Sequence, residues 1–326
     1  MQWVIGIDIG GTNCVVGAVA ADGSRVVGEH AQPTLATRGA GAVIGDLVTM
    51  SQHAIAQVRG ADPSAEILGV GAGAPGPLHI AAGMVLFTPN LGWVNVPLRQ
   101  LLADGLGIPA AIENDANAAV QAECWVGAAR EARYVIGLTL GTGIGGGIVI
   151  DGVLYHGASD AAGEFGHMVI DPGGPLCGCG NHGCLEAFAS GMNIARRARE
   201  AVAGGEPSLL SPLLAADPAA ITAERVYHAA AQGDATAQRV VDDTVRYLGI
   251  GVANLVNIFN PNTVVMLGGV THAGDALFVP LRREVAARAF KSAVDVCTIV
   301  PGALGHLAGV YGAAKAFLDQ RASGQV

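Results

Sequence analysis

The sequence predicts an α/β fold built from two similar halves, and three observations carry that expectation. Two strand–glycine–strand units stand far apart in the chain. One runs from Val4 through Asp8-Ile9-Gly10-Gly11-Thr12-Asn13 to Val19, the other from Val135 through Gly141-Thr142-Gly143 to Ile150. They align with each other, Gly6-Ile7-Asp8-Ile9-Gly10 over Gly137-Leu138-Thr139-Leu140-Gly141. Between and after them, short apolar runs of strand length alternate with longer stretches of helical period, the pattern of a mixed α/β sheet. One such hairpin alone reads as an ordinary tight turn. Two matching copies point instead to a duplicated unit, the copies facing each other across a cleft.

In each hairpin the turn is stripped of side chains. Glycine there permits positive φ and lets backbone N–H groups come close to a bulky anion. Neither turn is a Walker loop, because the Gly-Lys-Ser/Thr ending is absent, and neither is a Rossmann fingerprint, because a strand and not a helix follows. A helix is predicted over 40–58 and a strand over 67–72, followed by two punctuated loops, Gly73-Ala74-Pro75-Gly76-Pro77 and Thr88-Pro89-Asn90-Leu91-Gly92-Trp93. A short helix over 97–105 leads into a strand over 110–112. Glu113-Asn114-Asp115 lies at the end of that strand, just before a helix over 116–126. Asn114 or Asp115 makes a natural N-cap there, and strand ends in α/β sheets are also where catalytic side chains gather. Helices are predicted over 194–202, 223–231 and 235–258, with a Gly/Pro/Ala-rich surface loop over 203–219. A buried strand over 263–267 ends in Gly268-Gly269, a second place for close backbone approach, and a helix over 308–322 closes the chain.

Length and composition narrow the class. At 326 residues, two domains are expected, and with 51% of residues hydrophobic and 14% charged a large core is available. Mean hydropathy is positive, but glycine and alanine supply much of it, and no apolar run reaches the roughly 18 residues a membrane span needs. Met1-Gln2-Trp3-Val4-Ile5 enters a strand pattern without the basic region of a signal peptide, so a cytoplasmic location is expected. A net charge of −9 argues against a nucleic-acid groove. It leaves phosphorylated substrates open, since local amides bind phosphate inside an acidic protein. Cys14, Cys124 and Cys297 stand isolated in apolar contexts and are expected as buried free thiols.

The richest stretch chemically runs from Gly163 to Glu186. His167 precedes Cys177, Cys179 and Cys184, and three thiolates with one imidazole make a complete tetrahedral set for zinc. Four protein ligands leave no open position, so the metal would be structural. Glu164 and Glu186, interleaved with the ligands, would be held rigidly and suit a ligand with several hydroxyl groups. The alternative is a cluster of loop disulfides, which fits worse: Cys177 and Cys179 sit too close to bridge easily and nothing else suggests secretion.

On Asp8-Ile9-Gly10-Gly11-Thr12, Pro89-Asn90-Leu91-Gly92-Trp93, Glu113-Asn114-Asp115-Ala116-Asn117, Leu140 through Gly147, Gly163-Glu164-Phe165-Gly166-His167 and the cysteine cluster, the chain resembles the ROK family (repressors, open reading frames, kinases). Within it the chain looks most like the bacterial glucose kinases. The motifs extend over most of the chain in the family's order. The resemblance implies an actin-like, hexokinase-like fold of two RNase H-like domains with ATP and sugar in a central cleft, residues 1–116 plus 310–326 forming the smaller domain and 117–309 the larger. It implies ATP-dependent phosphorylation of glucose at the 6-hydroxyl, with Asp115 as the catalytic base. A sugar hydroxyl is a poor nucleophile and needs a carboxylate to take its proton.

The same resemblance implies that Asn90, Asn114, Asp115, Glu164, His167 and Glu186 bind the sugar, with His167 placing one nitrogen on zinc and the other toward a hydroxyl. ATP and its phosphates fall to Asp8, Gly10, Gly11, Thr12, Asn13, Thr142, Gly143, Gly268 and Gly269, and Asp8 would orient Mg²⁺ through water, as Mg²⁺ keeps waters and uses few carboxylates. A homodimer or homotetramer is expected. Two departures stand out: Leu267-Gly268-Gly269-Val270 replaces the more usual triple glycine, and His306 stands where the family often has an acidic or amide residue. Other readings are a kinase for fructose, mannose, N-acetylmannosamine or N-acetylglucosamine, or a sugar-responsive regulator. The regulator is expected to carry a winged helix-turn-helix before the first hairpin, which here begins almost at Met1. A third class, an actin- or chaperone-type ATPase, gives no reason for a metal knot beside paired glutamates.

Overall fold

In the computed structural model, which describes residues 1–326, the first hairpin is formed by β1 (Gln2–Ile9) and β2 (Asn13–Ala20), antiparallel with Asp8 opposite Val15. β3 (Val26–Pro33) extends it as an edge strand. α1 (Ala40–Ala61) crosses over to β4 (Glu66–Ala74), which lies parallel to β1. The chain then makes a small antiparallel sheet of β5 (Leu78–His79), β6 (Met84–Thr88) and β7 (Trp93–Val96). α2 (Leu98–Leu106) leads to β8 (Ala110–Asn114), parallel to β4, and α3 (Asp115–Trp125) follows at once. The order across the main sheet is β3-β2-β1-β4-β8.

The second hairpin is β9 (Val135–Leu140) and β10 (Ile144–Ile150), with β11 (Val153–Leu154) after it. Then come α4 (Leu185–Ala189), α5 (Gly191–Ala203), α6 (Ser211–Ala216), α7 (Ala223–Ala231) and the long α8 (Ala235–Phe259). β12 (Thr263–Leu267), α9 (Asp275–Arg288), α10 (Lys291–Val294), β13 (Thr298–Pro301) and α11 (Ala308–Ala322) complete the chain. β12 pairs in parallel with β9 and with β13, and the second sheet has the order β11-β10-β9-β12-β13. Both sheets thus share one plan: a hairpin whose first strand takes a parallel neighbour, which takes another. This is the duplication that the aligned hairpins led one to expect, in the actin-like, hexokinase-like architecture that the family resemblance implied.

Packing groups residues 1–132, 147–163 and 302–326 into one unit and 133–146 with 164–301 into another. The division expected from sequence cuts the chain elsewhere: 117–132, 147–163 and 302–309 pack with the first unit. In that unit, Ile5, Ile7 and Ile9 face Leu47, Met50, Leu98 and Leu102 in one core, while Val4, Val19, Val310 and Phe317 form another. Fully burying one such side chain is worth roughly 1.5–3 kcal/mol. α11 can lie close on the sheet because the strands beneath it carry glycine where its backbone crosses them. A Cβ on Gly71 would fall 1.8 Å from the Ala313 carbonyl oxygen, and one on Gly6 2.1 Å from that of Val310. In the second unit α8 is N-capped by Asp234, which accepts from the Ala237 amide, and ends at Asn260 in the left-handed region at φ 46°. It packs against α4, α5, α7 and α9. No helix is long and apolar enough to cross a membrane.

Several elements carry no clear periodic signal. β3 is a mostly polar edge strand, Val26-Val27-Gly28-Glu29-His30. β5–β7 are short and broken by Pro and Gly, and α9 has Pro280 in its second turn. The segment expected as a 203–219 loop contains the six-residue α6.

Candidate functional site

In the first unit the polar residues gather where β1, β8 and the starts of α3 and α11 meet. Gly10 N–H donates to the Asn13 carbonyl at 3.0 Å, and Thr34 fixes the turn from outside through its hydroxyl to the Gly10 carbonyl (2.6 Å) and its amide to that of Thr12 (2.8 Å). Gly11 lies against Asn90, where a Cβ would come 3.3 Å from the Asn90 Cβ. Gly11, Thr12, Asn13 and Asn90 are all exposed. Asn90 itself sits in a tight turn, with the Leu91 and Gly92 amides both donating to the Thr88 carbonyl.

Asp8 stands one residue before the end of β1, half-buried, with α11 against its carboxyl. A Cβ on Gly309, in the first turn of α11, would fall 2.3 Å from it. Burial, and then the charge of Asp115, push its pKa up from 3.8 to about 7. Asn114 is the N-cap of α3, accepting from the Ala116 and Asn117 amides at 3.0 and 3.1 Å, and its amide nitrogen donates to the Gly76 carbonyl at 3.4 Å. Asp115 begins the helix, one carboxylate oxygen accepting from Ala116 N–H at 2.8 Å. The positive end of the helix favours a carboxylate there. Asn114 and Asp115 each keep accessible surface, as groups that touch a substrate must.

In the second unit His167, Cys177, Cys179 and Cys184 converge, their ligand atoms all within 4.8 Å of one another. The Cys179 and Cys184 sulfurs are 3.6 Å apart, and Cys177 Sγ is 3.7 Å from His167 Nδ1. A tetrahedral zinc with Zn–S of about 2.3 Å requires ligand separations of about 3.6–3.8 Å, and all the cysteines are free. The donor set and its spacing fit zinc. The knot is shaped by two short bridges, Val169 with Cys184 and Leu176 with His182. It also depends on Gly183 at φ 71°, where a Cβ would collide with the Asp171 carbonyl oxygen at 1.5 Å. With Nδ1 toward the cysteines, His167 Nε2 faces outward, 4.0 Å from the exposed Glu164 carboxylate.

Glu186, next to the knot at the start of α4, accepts from the Ile144 amide at 2.9 Å, and a Cβ on Gly143 would fall 2.4 Å from the same carboxylate oxygen. The glycine turn and the glutamate are therefore in contact. Gly141 N–H donates to the Gly143 carbonyl at 3.0 Å, the counterpart of the Gly10–Asn13 bond. Gly268, at φ 91°, crosses this hairpin so closely that a Cβ would lie 2.5 Å from the Leu140 carbonyl oxygen. Beside these turns a cavity of about 750 Å³ opens, with Thr142 and Gly269 on its wall together with Met192, Arg199, Tyr227 and His228. The last four were missed from sequence. They stand on helices read only as helices, and no motif marks them. Two more polar residues were also missed: His156, and Glu113 as anything beyond part of a motif. They are joined by a 2.8 Å contact.

These features have counterparts among known proteins. The model of the ROK family matches residues 4–320. A glucokinase of Thermotoga maritima is 40% identical over 313 residues, 96% of this chain and 96% of that protein. The crystal structure of a ROK family glucokinase from Streptomyces griseus in complex with glucose and AMPPNP is similar at a TM-score of 0.81 and 33% identity, covering 96% of this chain and 98% of that one. A xylose repressor of Caldicellulosiruptor bescii is 38% identical over 224 residues, 69% of this chain and 56% of its own. The match of the family's pattern along nearly the whole chain establishes that this protein belongs to the ROK family.

Proposed function

We propose that this protein transfers the γ-phosphoryl group of ATP to the 6-hydroxyl of glucose. The observation that carries the reading is its similarity, over nearly the full length of both chains, to an enzyme crystallised with glucose and an ATP analogue. The repressor similarity extends over little more than half of that protein, whereas the glucokinase similarity covers 96% of its length.

The chemistry asks little covalent work of the protein. Phosphoryl transfer proceeds through a loose transition state in which positioning and charge neutralisation dominate. Asp115 accepts the proton as the sugar O6–H bond breaks. O6 forms its bond to the γ-phosphorus, and the bond from that phosphorus to the bridging oxygen breaks, releasing ADP. Asp115 stands at the start of α3 with one oxygen accepting from the Ala116 amide, and a general base must lie within hydrogen-bond reach of the proton it takes. By the family resemblance, Asn90, Asn114, Glu164, His167 and Glu186 hold ring hydroxyls. A missing or inverted hydroxyl then leaves such groups unpaired, which is the strongest source of discrimination available.

The turn amides of Gly11–Asn13 and of Thr142–Gly143 cradle phosphates, Gly10 closing the first turn through its bond to Asn13, and the 750 Å³ cavity takes the nucleoside, with Gly269 on its wall and Gly268 next to it in sequence. Mg²⁺ bound with ATP would supply charge neutralisation on the phosphates, and Asp8 would be the residue that orients it, through water. His167, Cys177, Cys179 and Cys184 would hold zinc, which would supply only rigidity and leave His167 Nε2 for the sugar.

A coupled assay of ADP release with ATP and each of glucose, fructose, mannose, N-acetylmannosamine and N-acetylglucosamine tests the proposal. Glucose is expected to give the highest kcat/KM. Turnover with none of them would overturn the kinase reading, and a clear preference for another hexose would overturn the choice of sugar.

A further inference from the structure

Glu113 is a buried carboxylate, 2% exposed, at the end of β8. A buried charge needs a partner and filled acceptor positions. One oxygen accepts from the Asn114 amide at 2.9 Å and from the Asn117 side-chain amide at 3.4 Å. The other meets His156 Nε2 at 2.8 Å. His156 is the one cation-forming side chain on this carboxylate, and its own side chain is 31% exposed.

We propose that His156 is a positioning residue for the phosphoryl-transfer step, acting through Glu113 on the Asn114-Asp115 turn and strongest when its imidazole is charged. This rests on the assignment of Asp115 as the base. Through Glu113 the imidazole is one peptide unit from Asn114, the cap whose side chain sets the first turn of α3, and two residues from Asp115. The other tie, Asn117, is 1% exposed and also in that first turn. A shift of the Glu113 carboxylate therefore acts on Asn114, which caps the turn that Asp115 begins, and on Asn117 in the same turn.

His156 also lies on the segment that follows β11 and runs to Gly163, immediately before Glu164 in sequence. That segment is fastened to the first unit by His156 and by Asp160, whose carboxylate accepts from the Ile80 amide at 2.9 Å. It is folded on itself by the Ala162 amide donating to the His156 carbonyl at 3.1 Å. The charged groups facing the imidazole are Glu113 from β8 and Asp160 from its own segment, both acidic. The hydrogen bond to Glu113 raises the His156 pKa, partial burial opposes it, and the charges of Glu113 and Asp160 add to the rise. A raised histidine pKa means that the charged contact is complete at acid pH and is lost as pH climbs through the raised value. The neutral imidazole can still donate a weaker hydrogen bond, so kcat is expected to fall on the alkaline side to a lower plateau and not to zero.

Two measurements on the full-length protein test this. Imidazole NMR of the ligand-free chain, with the His156 signal assigned by its loss in H156Q, should give a midpoint above the ordinary histidine value that drops in E113Q. Kinetics should show H156Q losing roughly 10- to 100-fold in kcat with KM for sugar little changed, the scale of a misplaced catalytic group. H156R, which keeps a charge at all pH, should recover most of kcat and lose the alkaline fall. Melting curves check that each variant is folded. An ordinary midpoint that E113Q does not move overturns the charged pair. A folded H156Q with unchanged kcat, or an H156R profile that still falls like the wild type, overturns the positioning role. A wild-type chain that phosphorylates no hexose while His156 still titrates high overturns the kinase reading and leaves the pair standing.

Discussion

Asp115 and Asp8 show how position gives two aspartates different work. Asp115 starts a helix with an amide on one oxygen, whereas Asp8 lies against the first turn of α11 and its pKa is raised to about 7. Asp115→Asn keeps shape and a hydrogen bond but cannot accept a proton. Turnover is expected to fall by roughly 10²–10⁴-fold with glucose affinity nearly unchanged. Near-normal kcat in that variant, measured alongside calorimetric binding, would remove Asp115 from the role. For Asp8 the sign runs the other way from a salt-bridged acid. An acid whose pKa is raised on folding adds stability only while protonated, so its contribution is complete below about pH 4 and lost as pH rises through about 7. In metal-free protein, D8N should therefore gain in melting temperature over the wild type increasingly between about pH 4 and about pH 7 and level off above that. A gap that stays constant over that range would mean Asp8 is ionised throughout. Single residues were also where sequence reading reached furthest. Asn114, Asp115 and the four metal ligands occur in motifs whose spacing has a chemical meaning. Tyr227, His228 and His156 became visible only when the chain was folded, because their partners are remote in sequence.

At the scale of elements, the metal knot is the clearest case of local sequence dictating local structure. Cys177 and Cys179 are too close to bridge, Gly180 and Gly183 take positive φ at 91° and 71°, and the chain between them turns tightly enough to bring Cys184 back. A structural metal supplies folding energy outright, so a zinc on these four residues would order the loop. Elemental analysis is expected to find one zinc per chain. Chelation should lower the melting temperature and make Cys179, the exposed member, the first thiol to be alkylated. Cys124 and Cys297 should stay slow, since burial pushes their pKa up to about 12 and about 11. Protein that is metal-free as purified, with the same melting curve before and after chelation, would count against a structural zinc. The long helices and the two hairpins were equally plain in sequence, because their apolar periodicity runs over many residues. The strands β5, β6 and β7 were not, as two to five residues between Pro and Gly carry too short a pattern to distinguish a strand from a loop.

The whole molecule is a duplication whose trace in sequence is faint and whose trace in topology is plain. Two five-stranded sheets repeat one strand plan, although little beyond glycine spacing aligns between their hairpins. The chain passes between the two packing units four times, after residues 132, 146, 163 and 301. The first unit is therefore completed only by the last stretch of chain. α11 supplies Val310, Ala314 and Phe317 to one of that unit's two cores, and its Gly309 makes room for the Asp8 carboxyl. No other element can take its place, because the glycines at positions 6 and 71 leave a surface shaped to a helix backbone and bare without it. Removing residues 302–326 should leave the first unit unable to fold, so that the truncated protein lacks its cooperative melt and its hexose turnover. Phe317→Ala is the milder test. Emptying a fully buried phenylalanine site costs about 3–5 kcal/mol, a large share of the roughly 5–15 kcal/mol by which a domain is stable. Denaturant unfolding of that variant should show the loss in the first transition that involves the first unit. An F317A protein as stable as the wild type, or a truncated chain that still melts cooperatively and turns over hexose, would mean that the first unit closes its core without the final helix.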